Sequence, residues 1–178
     1  MKKIITIFLM ISSLLMNGQT NFKWEKIDSV QKTKDQIYAD TKMFIAETWK
    51  SSNSVIQNDD KESGTILVRG NLKTGMILAM AVSEFRYSYD VTFKMKDGRY
   101  KISIDNVYCT DSYSPSTSIP KIEPFEGEAT NLPKFFNYKP YKKKSEEMMM
   151  FIKSELQSII DSYSKYINKT SLNSNDGW

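Results

Sequence analysis

The 178-residue chain contains no histidine and a single cysteine, Cys109. The first absence removes Ser-His-Asp and Cys-His nucleophile systems, imidazole metal sites and the usual proton shuttle. The second excludes an intramolecular disulfide and any thiolate-rich zinc centre. Charge of neither sign dominates: 25 basic residues face 21 acidic ones, net +4. That balance is too weak to suggest nucleic acid. After residue 16 no apolar run approaches the roughly 20 residues that span a bilayer. Proline is missing from everything except 111–144, which holds all five. Carboxylates, lysine and tyrosine can still do chemistry. No recognisable catalytic set is present, however, so the expectation is a protein that is not an enzyme and uses neither metal nor cofactor.

What is present begins with MKKIITIFLMISSLLMNGQ. Lys2 and Lys3 precede an apolar stretch from Ile4 to Met16. About 13 apolar residues behind a basic start form the layout of a secretory signal peptide rather than a membrane anchor. Cleavage after Gly18 or Gln19 is expected, with 1–19 as signal and 20–170 as one domain. No cysteine lies near the junction, so a lipid anchor is not available. The layout predicts a periplasmic or secreted protein, with nucleic acid off the list of partners. Without Lys2 and Lys3 the 25 basic residues fall by two, leaving a net charge of +2.

The mature chain alternates between patterns. Asn21 to Asp28 reads as a short strand. Thr33-Lys34-Asp35-Gln36 is a capping box opening a helix, with Ile37, Thr41, Phe44, Ile45 and Thr48 on one stripe. Ser54–Asn58 and Thr65–Arg69 read as strands joined by the acidic hairpin Asp59–Gly64. From Phe85 to Met95 every odd residue is apolar or aromatic, a long strand with one buried and one solvated face. Asp97-Gly98 signals a type I′ turn, and Arg99 to Cys109 returns. Asp111 to Lys144 reads as a long connection rich in proline and aromatics. Ser145 then caps a final helix whose stripe is Met148, Ile152, Leu156, Ile159 and Tyr163. Residues 171–178 read as a frayed tail. The expected fold is α+β: an antiparallel sheet with two helices on its one apolar face, in the order β-α-β-β-β-β-α.

The stretch IYADTKMFIAETWKSSNSVIQNDDKESGTILVRG resembles the core motif of the DUF4468 family, exported proteins of Bacteroidetes-type bacteria. The residues that carry the likeness are Tyr38, Phe44 or Trp49, Asp59-Asp60, Gly64 and Gly70. The later YSYDVTFKMKDGRYKISIDNV also fits. The resemblance covers residues 24 to 109 and implies a TBP-like α+β domain. It implies no activity, because the function of the family is unknown.

Several residue groups invite a functional reading. Asp59, Asp60 and Glu62 carry the oxygens of a cation site, yet lack the spaced ladder of a calcium loop and match turn chemistry. Arg86, Lys94 and Lys96 with Arg99 and Lys101 make either a solvated face, the commoner outcome, or a basic patch for an acidic polymer. Tyr113, Phe125, Phe135, Phe136, Tyr138 and Tyr141 are many aromatics for one connection, and are the candidate binding residues. The sequence therefore points to an exported, non-enzymatic binding domain that contacts a protein or glycan of the cell envelope. Its rivals are a carrier of a small apolar or sugar ligand, with a pocket under 111–144, and a carboxylate hydrolase using Asp59, Asp60 or Asp90.

Overall fold

The odd residues Phe85, Tyr87, Tyr89, Val91, Phe93 and Met95 are all buried, and their alternation carries one strand through the middle of a sheet. The computed structural model describes residues 23–49, 52–78, 81–113 and 139–173. Among them the order is β1 (Trp24–Ser29), α1 (Lys34–Trp49), α2 (Ser52–Val55), β2 (Ile56–Asp60), β3 (Thr65–Leu78), β4 (Ala81–Lys96), β5 (Arg99–Tyr113) and α3 (Lys139–Asn173). The strands form one antiparallel sheet in the order β1-β5-β4-β3-β2. Both long helices cover the face that carries the odd residues of β4. This is the expected α+β architecture in the expected order, with α2 as an extra helical turn.

Several boundaries differ from the sequence reading. Ser52 to Val55 is helical, so β2 starts at Ile56 rather than Ser54. Ser and Asn side chains bond to nearby backbone and favour such turns. β3 continues through Gly75 to Leu78, because β4 runs alongside it from end to end. β5 reaches Tyr113, and α3 begins at Lys139 with Pro140 in its first turn, where a missing N–H costs nothing. The connection expected over 111–144 thus loses both ends, and 114–138 lies outside the described residues. Ser145 is inside α3 rather than its cap, and α3 continues through Asn173, past the expected start of the tail.

The two tight turns also have identifiable causes. Gly64 has φ +67°, and its Cβ would lie 2.6 Å from the carbonyl oxygen of Met95. Only Gly98 is left-handed at the β4–β5 turn, with φ +74°. A type I′ turn needs Asp97 there too, so the expected turn type is corrected. Asp97 instead accepts the Lys34 N–H at 2.7 Å and caps α1. On β5, Asn106 takes φ +51° within a bulge opposite Tyr89. The extra residue shifts the alternation, so that after Tyr100, Ile102 and Ile104 the next buried side chain is Val107.

The core between sheet and helices centres on Tyr163. Its ring lies 4.8 Å from Phe93, 5.1 Å from Phe44 and 5.1 Å from Tyr100, centroid to centroid. Its hydroxyl hydrogen-bonds Thr41 Oγ1 at 2.8 Å, so no polar atom of the ring is stranded. Burial raises its pKa above the ordinary phenol value. At the far end of α3, Lys32 Nζ sits 2.5 Å from Asp40 and donates to the Ile167 carbonyl at 3.2 Å.

Candidate functional site

A cleft opens where the C-terminal end of α1, the middle of α3 and β3 meet. It is built on Gly70. This glycine faces Tyr89 across the β3–β4 ladder, and a Cβ on it would stand 2.3 Å from Tyr89 Cζ. The tyrosine ring therefore lies across a bare stretch of backbone, which only glycine provides. Trp49, at the end of α1, lines the cleft beside Tyr89 and meets Phe44 edge-on at 6.1 Å. Burial, with a contribution from Glu155, raises the Tyr89 pKa against an opposing contribution from Trp49.

The cleft has a volume of about 380 Å³. Phe44, Trp49, Leu72, Tyr89, Leu156 and Ile159 supply its apolar side. Thr48, Asn71, Glu155, Ser158 and Ser162 stand at its rim and are exposed. A separate hollow of about 480 Å³ lies further along the seam of β3 and α3, between Thr74 and Phe151. The arrangement offers aromatic and aliphatic contact on one side and hydroxyl, amide and carboxylate groups on the other.

The acids of the β2–β3 hairpin have structural work. Asp59 accepts from the Tyr38 hydroxyl and from Lys42 Nζ at 2.5 Å, both on α1. Burial would raise the Asp59 pKa, yet these donors hold it below the ordinary carboxylate value. Burial and Asp59 together push the Tyr38 hydroxyl up to about 12. Asp60 accepts the Ser63 N–H at 3.0 Å, and that turn bond lowers its pKa. Asp90 is two strands away from β2. Burial pushes its pKa up, and Arg69, at 2.8 and 3.1 Å, with Asn106 at 3.0 Å brings it down overall. All three carboxylates are thus held ionised, the opposite of what a general acid requires. Among the described residues no group of three acidic, histidine or cysteine side chains is arranged to hold a metal ion.

The aromatics expected to bind are placed unevenly. Tyr113 ends β5 and Tyr141 lies in the first turn of α3. Phe125, Phe135, Phe136 and Tyr138 lie outside the described residues, as does the pocket expected beneath them. The cleft just described uses other residues, and sequence reasoning missed it. Its signal was a glycine in the middle of a 14-residue strand, which weakens a sheet unless another group needs the space. The face of β4 expected to be wet is divided. Lys94 and Lys96 are exposed, whereas Ser88 and Asp90 are buried, as is Ser103 on β5. For Asp90 the reason is its enclosure by Arg69 and Asn106.

The profile of the domain of unknown function DUF4468, with TBP-like fold, matches residues 24–110. The likeness to the DUF4468 family is thereby shown over residues 24–110. A DUF4468 family protein from Bacteroides ovatus ATCC 8483 superimposes with a TM-score of 0.51 at 15% identity, covering 82% of this chain and 86% of that one. A TBP-like protein from Parabacteroides distasonis ATCC 8503 gives 0.55 at 13% identity, covering 82% and 94%. Both establish the fold. No curated protein matches the chain. Within the matched region the residues that carried the resemblance divide into two groups. Tyr38 and Asp59 lock the hairpin to α1, while Asp60 and Gly64 shape its turn. Phe44, Trp49 and Gly70 build the cleft.

Proposed function

We propose that this protein is an exported, non-enzymatic binding domain that holds a saccharide of the cell envelope in the Trp49–Tyr89 cleft. One observation carries the reading: an aromatic floor set on Gly70 beside a rim of hydroxyl, amide and carboxylate groups. A sugar ring has an apolar face of C–H groups and a perimeter of hydroxyls, and such a site matches both. The cleft volume of about 380 Å³ falls within the usual range for ligand sites. The signal-like N-terminus supports a ligand outside the cytoplasm.

Calorimetric titration of the mature protein with neutral envelope saccharides tests this. At least one should bind, and Trp49→Ala should weaken it roughly tenfold. Because Trp49 also packs on Phe44, the exposed rim variants Asn71→Ala and Glu155→Gln are measured beside it and should weaken binding without lowering the melting temperature. No binding across the panel, or binding untouched by all three substitutions, would remove the reading.

A further inference from the structure

A second site lies on the opposite face of the sheet, near the β4–β5 turn. In the ladder Lys94 stands directly opposite Lys101, and Lys96 directly opposite Arg99. Side chains so paired are roughly 5 Å apart, and like charges in that position destabilise a sheet. Two such pairs in succession form a compact block of four cations, with about 7 Å between neighbours along each strand. Lys101 is partly neutralised by Glu25 at 2.7 Å. Lys94, Lys96 and Arg99 have no ion pair among the described residues. Among the described residues nothing requires this repulsion, since solvated polar residues would serve a wet strand face equally well.

The block borders a groove. A hollow of about 240 Å³ runs across it from Thr65 on β3 to Ile27 on β1. Ile27 is 63% exposed and lies beside Lys101 in the β1–β5 ladder. The floor is mainly apolar and its borders are cationic. A linear polymer that carries a charge and an apolar ring face in each unit fits both features. A flat lipid surface meets protruding groups rather than a groove.

We infer that this face binds an acidic polysaccharide, with Lys94, Lys96, Arg99 and Lys101 taking its anionic groups and Ile27 with the lysine stems taking its ring faces. The cost of the like-charge pairs in the free protein is relieved when the anion binds. This site is separate from the Trp49–Tyr89 cleft and does not depend on it.

The test uses the mature protein with polygalacturonate, dextran sulfate, neutral dextran and phosphatidylglycerol vesicles as probes. Polygalacturonate or dextran sulfate should bind and neutral dextran should not, with affinity falling as salt rises. Lys96→Gln/Arg99→Gln should lose roughly tenfold in affinity and flatten the slope of log affinity against log salt by one to two units. The charge-matched control Lys165→Gln/Lys169→Gln, on exposed positions of α3, should bind as the wild type does. The double variant should also melt no lower than the wild type, since it removes a repulsion. Failure of both acidic polymers to bind at low salt would overturn the inference. So would equal losses in the two double variants, or binding to vesicles alone.

Discussion

A methyl group on Gly70 would stand 2.3 Å from the Tyr89 ring, and it could be accommodated only if that ring moved. Tyr89 is buried and packed in the cleft with Trp49, so the move is not free. Gly70→Ala should therefore destabilise the protein by about 1–3 kcal/mol, as overpacking does. Urea unfolding measures this, and an unchanged midpoint would mean that Tyr89 is loosely held. Gly64 differs in kind: its constraint is a positive φ together with the Met95 carbonyl. Both glycines were visible in the sequence as motif positions. Which one served a turn and which served a ring was not, because the partner of Gly70 lies 19 positions along the chain (89 − 70) and is set by strand register.

Among the elements, α1 illustrates how far local pattern reaches. The capping box forms in both directions: Thr33 N–H donates to Gln36 Oε1 at 2.9 Å, and Gln36 N–H to Thr33 Oγ1 at 3.3 Å. Thr33→Ala should cost about 1 kcal/mol, readable as a lower thermal midpoint that Thr33→Ser restores. The stripe Ile37, Thr41, Phe44 and Ile45 is buried as its spacing demands, while Thr48 is exposed at the rim of the cleft. Strand β4 and the return strand were likewise legible from period-two alternation. The α3 stripe was nearly so, with Ile160 buried and Ile159 half-buried instead of the reverse. What escaped was set between elements. Asp97 caps a helix that starts 63 positions earlier. The cleft joins α1, α3 and β3, and no local window contains it. The bulge at Asn106 has no turn-forming glycine to announce it.

For the whole molecule, the absence of histidine has a direct thermodynamic reading. Asp59, Asp60 and Asp90 have folded-state pKa values below their ordinary values. Such groups stabilise the fold above about pH 4, and that stability is lost as pH falls through the lowered values. Tyr38, Tyr89 and Tyr163 have raised values. Their contribution is full below about pH 10 and is lost as pH climbs past it; for Tyr38 the folded value is about 12. Stability should thus be flat from about pH 5 to 9, falling on either side, with no step near 6.5. Denaturant midpoints across pH 3–11 measure this, and a sloping plateau would point to a group outside these clusters.

The pairing of β1 with β5 also governs the order of events when the chain is made. Trp24 sits opposite Ile104, and Thr41 meets Tyr163 across 122 positions. The first strand has no ladder partner until the fifth exists, and the core lacks one of its two covering helices until α3 arrives. Long-range closure of this kind makes folding slow. For a polypeptide that we propose is exported, such delay is useful: the edge strand β1 and the second covering helix are locked in place only after most of the chain has been made.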